Sequence, residues 1–130
     1  MNYLEHSTVR LIIFTILALL AAAPAYADDP VGSYNVEGAN PGNEGSYRGT
    51  VTVTRTGERS PELSTFRVVW VVDGTRIIGT GIGMNGILAV TYMSGREVGL
   101  GLYGADGRNW GGQWTTANGT QLGTEVWVRR

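Results

Sequence analysis

Gly79-Thr80-Gly81-Ile82-Gly83-Met84-Asn85-Gly86-Ile87-Leu88-Ala89-Val90 can be read in two ways, and the choice decides the fold. From Gly81 to Gly86 it matches G-x-G-x-x-G, which in a dinucleotide-binding unit follows a strand and opens a helix whose N-terminus holds the pyrophosphate. Here Asn85-Gly86 is instead a hairpin pair, because both central residues of a type I′ turn need positive φ. Ile87-Leu88-Ala89-Val90 then begins a second apolar run. The spacing predicts two strands joined by a tight turn and no nucleotide site.

The same grammar runs through the chain. All 20 Gly lie after Pro30, without a collagen period, and they separate short runs of Val, Ile, Thr, Tyr and Trp. That is the mark of strands linked by turns. No window carries a convincing 3.6-residue apolar stripe, so helix is nearly absent. In Tyr47-Arg48-Gly49-Thr50-Val51-Thr52-Val53-Thr54-Arg55 the apolar residues Tyr47, Val51 and Val53 share one face and Arg48, Thr50, Thr52 and Thr54 the other. Phe66, Val68, Trp70 and Val72 repeat the alternation, and Val98, Leu100 and Leu102 repeat it again as an apolar face. One face is core and the other solvated.

Turn signals fall at Asn40-Pro41-Gly42, Asp73-Gly74, Asn85-Gly86, Ser94-Gly95, Asp106-Gly107 and Asn118-Gly119, with one longer loop, Gly57 to Ser64, containing Pro61. The runs between them give eight strands, roughly 31–38, 46–56, 65–72, 75–84, 87–93, 97–103, 109–116 and 121–128. Short connections make an antiparallel meander. An open sheet of this kind leaves two unpaired edges, and closure removes both. The expected fold is therefore all-β, a single eight-stranded up-and-down meander barrel, with a two-sheet sandwich second. Gly74–Thr80 resembles Gly119–Thr124, which two hairpins with the same turn explain better than duplication does.

Residues 1–27 read as a signal peptide: Arg10, then an apolar run from Leu11 to Ala23, then Ala25-Tyr26-Ala27 as an A-x-A cleavage pattern. The run is shorter than the roughly 20 residues that cross a bilayer. The expectation is an exported, periplasmic or extracellular protein with one domain, 28–130. His6, the one His, belongs to the leader, and there is no Cys and no Lys. A Cys or Ser nucleophile activated by His, a Cys/His zinc site, a Lys Schiff base and a disulfide are thereby excluded, and no cofactor or metal is expected. Net charge is −1 without a long basic run, so nucleic acid is a poor partner.

Gly32-Ser33-Tyr34-Asn35-Val36-Glu37-Gly38, Asn40-Pro41-Gly42, Tyr47-Arg48-Gly49-Thr50, Gly79-Thr80-Gly81, Trp110-Gly111-Gly112-Gln113-Trp114 and Gly123-Thr124-Glu125 form a set. With Trp70, it resembles a group of short exported bacterial proteins often labelled fibronectin-binding. The resemblance spans residues 28–130 and implies binding of fibronectin or another surface glycoprotein, with no catalytic residues to carry over. The meander is similar in layout to avidin-like and lipocalin-like barrels, by architecture alone.

Among the aromatic residues, Trp110 and Trp114 fall on one face with Gly112 between them. With Trp70 they are expected to fill the barrel. If Leu122, Val126 and Val128 point inward, Trp127 points out, beside Glu125 and Arg129. The candidate binding residues are thus Trp127, Glu125, Arg129, Trp110, Trp114 and Tyr103, since Trp and Arg concentrate interface energy. Met84 and Met93 are expected as core fillers, and Arg48, Arg55 and Arg67 as solvent-side groups, pairing with Glu37 or Glu58. Catalysis would need two convergent carboxylates. Only Glu37, Glu97 and Glu125 sit within strands and nothing in the sequence unites them, so no enzyme is expected.

Three functions follow: a binding module for a protein or glycoprotein surface, a periplasmic protease inhibitor inserting Asp28-Asp29-Pro30-Val31, and a small-molecule carrier with a hollow barrel. A membrane-inserted barrel fits less well, because the Arg48, Thr50, Thr52, Thr54 face is polar.

Overall fold

The computed structural model describes residues 29–57 and 63–130. The expected leader 1–27, Asp28, and the Pro61 and Glu58 part of the long loop lie outside the described residues. Eight strands follow one another: β1 Gly32–Ala39, β2 Ser46–Thr56, β3 Ser64–Val72, β4 Thr75–Met84, β5 Ile87–Ser94, β6 Glu97–Asp106, β7 Asn109–Thr116 and β8 Gly123–Arg129. Each pairs antiparallel with the next, and β1 pairs with β8 from Tyr34↔Arg129 to Ala39↔Thr124. The sheet is a closed up-and-down barrel with no free edge, and a sandwich is excluded.

The quoted stretch is the β4 to β5 hairpin. Asn85 and Gly86 both have positive φ (37° and 78°), as do Asp73 and Gly74 between β3 and β4, so the type I′ logic holds. The loops after β5 and β6 start one residue later than the Ser94-Gly95 and Asp106-Gly107 pairs suggested. They are Gly95-Arg96 and Gly107-Arg108, where the glycine alone carries positive φ.

Alternation sends Tyr34, Val36, Val51, Val53, Phe66, Val68, Trp70, Leu88, Val90, Tyr103, Trp110, Trp114 and Trp127 inside. This reverses two expectations. Val98, Leu100 and Leu102 point outward, because Gly99, Gly101 and Tyr103 occupy the inner face of β6, and the Tyr92 ring of β5 and the Tyr103 ring of β6 itself fill the space above those glycines. On β8 the inner face is Gly123, Glu125 and Trp127, so Val126 and Val128 are exposed and Trp127 is fully buried, not on the outside. Met84 and Met93 are likewise exposed rather than core fillers.

One end of the barrel is sealed by the segment before β1. Arg129 donates from Nη1 to the Val31 carbonyl (2.9 Å) and from Nη2 to that of Asp29 (3.0 Å), and Tyr34 donates its hydroxyl to the Pro30 carbonyl (2.6 Å). Arg55 is half-buried at this end, paired with Asp29 at 3.2 Å, and not a free solvent-side group. Arg48 does pair with Glu37 outside, at 3.3 Å. The opposite end carries the Asp73-Gly74 and Gly95-Arg96 turns, the Pro41–Asn43 turn of 3-10 helix, and the β7 to β8 loop. It forms the mouth.

Candidate functional site

Pairing places Gly38 of β1 beside Glu125 on one flank and Gly112 of β7 on the other. Neither glycine puts a side chain inside, and two tyrosines use the vacated space. The Tyr47 ring lies where a Cβ on Gly38 would fall, and the Tyr103 ring and backbone crowd the same position of Gly112. Both hydroxyls thereby reach the carboxylate. Tyr47 donates to Glu125 Oε1 at 2.7 Å, and Tyr103 to Oε2 at 3.1 Å. Trp127, two residues along the same inner face, donates Nε1–H to Oε2 at 2.7 Å, and Trp70 of β3 does so at 3.3 Å.

Glu125 is 6% exposed and has four neutral donors and, among the described residues, no cationic partner. An indole N–H can only donate, so Oε2 is an acceptor in any protonation state. A buried carboxyl group without donors is strongly destabilising. The four donors offset that penalty and gather their rings around one acid: Tyr103 lies 4.4 Å from Trp127, centroid to centroid, and Trp70 lies 6.3 Å from it. Burial, and then the Glu125 charge, push the Tyr47 and Tyr103 hydroxyls far above the usual phenol range. Both stay protonated donors.

Above this layer the barrel opens. A cavity of about 180 Å³ is lined by Tyr47, Val72, Ile77, Tyr92, Glu97 and Trp114, with Asn40 and Ser94 at its edge. A wider recess of about 400 Å³ adjoins it, sharing Asn40, Glu97 and Trp114 and reaching Glu44 and Gln121. Trp114 stands between two tyrosines, with its ring 6.4 Å from Tyr47 and 6.3 Å from Tyr92, both edge to face. The buried Trp114 N–H has no hydrogen-bond partner among the described residues. Tyr92 is pushed up to about 12, first by burial and then by the Glu97 and Glu125 charges.

The six candidate residues are thus split over three levels. Glu125, Trp127 and Tyr103 meet in the interior, with Trp110 on the strand beside Trp127; Trp114 stands at the mouth; Arg129 holds the sealed end. Tyr47, Tyr92 and Glu97 complete the mouth, and the choice of candidates from the sequence missed them. The signal that finds them is phase: Tyr47 shares the parity of Val51 and Val53, Tyr92 that of Leu88 and Val90, and Glu97 that of Gly99 and Tyr103. Among the described residues no group of three His, Cys, Asp or Glu converges to hold a metal.

The outer wall is mixed, with Val126 and Val128 of β8 and Val71 of β3 exposed on either side of the β1 to β2 face. Over β1 and β2 it is polar, with Glu37, Arg48, Thr50, Thr52 and Thr54. Over β4 to β6 it is apolar: Ile78, Ile82, Met84, Ile87, Met93, Leu100 and Leu102 are all exposed, Met93 by 67% and Leu102 by 61%. The polar face read from β2 does not extend around the barrel.

No protein-family model and no curated protein matches the chain. A solved structure of a redesigned β-barrel is similar in fold, with a TM-score of 0.57 at 20% identity, covering 83% of this chain and 98% of that one. The closed eight-stranded barrel is the class that fold and comparison define, and it is compatible with a binding or carrier role.

Proposed function

We propose that this is an exported, non-catalytic binding protein that takes a small ligand at the barrel mouth. The observation that carries the reading is the cavity bounded by Tyr47, Tyr92 and Trp114, whose floor is fixed from beneath by the Tyr47 to Glu125 hydrogen bond. Concave, largely apolar sites with a few placed polar groups are the usual form of small-molecule sites, and barrel mouths are a favoured location. The carrier is shallow rather than hollow, because Trp70, Trp110 and Trp127 fill the interior. Binding rather than catalysis is supported by the chemistry of the centre. The donors around Glu125 are engaged with it, and no His, Cys or Lys occurs among the described residues. A Trp-fluorescence screen of small ligands tests the reading. Hits must be lost in Trp114→Ala and kept in Arg48→Ala on the polar wall; hits insensitive to Trp114→Ala would overturn it.

The apolar outer face favours a second, compatible reading: a protein partner, best filled by a second copy of this chain. Exposed apolar patches of this extent mark interfaces on soluble proteins. The apolar β4 to β6 face suits isologous packing of two barrels, whereas a spanning barrel needs an apolar band all round, which the Arg48 and Glu37 face interrupts. Fibronectin or another glycoprotein as the partner rests on the sequence resemblance alone, and the Trp127 anchor proposed for it is interior. Insertion of the N-terminal segment into a protease is disfavoured, since Asp29, Pro30 and Val31 are held by Arg55, Tyr34 and Arg129.

A further inference from the structure

The two ends of the barrel treat their aromatic rings differently. At the sealed end the chain places its own cations on them. The Arg129 guanidinium lies 4.7 Å from the Tyr34 ring centroid, and that of Arg55 lies 5.3 Å from Phe66. The mouth cavity is lined by three rings and, among the described residues, by no cation. The titratable groups lining the cavity and recess, besides the tyrosines, are Glu97 and Glu44, and Glu125 lies directly behind Tyr47. Arg96, in the adjoining turn, and Arg76, next to Ile77, do not line either space.

Ring faces attract cations through their quadrupole, more strongly when the site is desolvated, and quaternary ammonium groups are recognised in this way. Tyr47 donates its proton toward the Glu125 carboxyl group, which raises electron density on its ring, and the Glu97 carboxyl lining the cavity adds to the attraction. A cavity of about 180 Å³ lies below the usual range for drug-sized ligands. It fits a compact group.

We infer that the mouth pocket binds a small organic cation, an ammonium group on a compact apolar body, seated against Tyr47, Tyr92 and Trp114 with Glu97 at the rim. This deepens the small-ligand reading and rests on it. An anion is disfavoured, because the lining offers no cationic donor among the described residues and its acids repel negative charge.

The test is calorimetric titration of the purified protein with choline and with 3,3-dimethyl-1-butanol, its uncharged carbon isostere, alongside Trp114 fluorescence. Choline is expected to bind about thirtyfold more tightly than the isostere, the scale of one desolvated cation–π contact. Glu97→Gln should weaken choline several-fold and leave the isostere unchanged. Equal binding of the two compounds, or no response to Glu97→Gln, overturns the cation assignment while leaving a small-ligand site in place. Binding of neither, with hits from the wider screen insensitive to Trp114→Ala, removes both readings.

Discussion

The Tyr47 hydroxyl lies 2.7 Å from Glu125 Oε1 while its ring rests over Gly38, the residue that faces Glu125 across the β1 to β8 pairing. One glycine thus sets both the seat of the ring and the reach of its hydroxyl. Adding a methyl there would put Cβ 2.2 Å from the ring, so Gly38→Ala must expel Tyr47 from its place. The expected result is a loss of about 1–3 kcal/mol of stability, the range for overpacking, together with loss of ligand binding at the mouth. Chemical denaturation and titration of the same sample read both.

Glu125→Leu removes the acceptor of two phenols and two indoles at once. Unsatisfied buried donors are destabilising by about 1–3 kcal/mol each and not additively, so the variant should be near the limit of folding. Glu125→Gln keeps an acceptor and should fold with a smaller loss. Equal urea midpoints for the two variants would contradict the role given to the carboxylate.

All four described tyrosines, Tyr34, Tyr47, Tyr92 and Tyr103, have raised hydroxyl pKa values, burial being the largest cause in each. Above pH ~10 the unfolded chain releases phenol protons that the folded chain retains, so stability is complete below pH ~10 and falls as pH rises past it. Tyrosinate absorbance should therefore appear together with loss of the β-sheet circular dichroism. Ionisation of these residues in a folded barrel near pH 10 would contradict the burial.

Arg129 ties the sealed end through Val31, Asp29 and the Arg108 carbonyl, and stacks on Tyr34. Arg129→Ala should destabilise by about 1–3 kcal/mol and free residues 29–31 for proteolysis, with mouth binding retained. An unchanged cleavage pattern would contradict the seal.

Leu102 projects from the apolar wall. Leu102→Glu should leave stability within about 0.5 kcal/mol, as exposed substitutions do, and abolish any concentration-dependent dimer in sedimentation. A chain that is monomeric at every concentration before mutation would remove the second-copy reading.

The barrel was legible because its signals are local. Asn85-Gly86, Asp73-Gly74 and the alternation in β2 each fix a turn or a face without knowledge of the rest, and closure follows from edge avoidance. Which face points inward was legible only where apolar and polar residues separate, as at Val51 and Val53. On β6 and β8 aliphatic residues lie outside and Gly, Glu and aromatic residues inside, so ranking faces by hydrophobicity inverted Leu100, Leu102 and Trp127. Glu125 was singled out, but of its four partners only Trp127 shares its strand, while Tyr47, Trp70 and Tyr103 lie on β2, β3 and β6. Only the register, with Gly38 and Gly112 beside it, brings them together.

The most direct test of the account is a two-dimensional spectrum of the indole N–H groups during choline titration. Trp70 and Trp127, held by the Glu125 carboxylate, should exchange slowly with solvent and move little, while Trp114 shifts and saturates. A saturating shift at the other indoles with Trp114 unmoved would place binding elsewhere and contradict the mouth as the site.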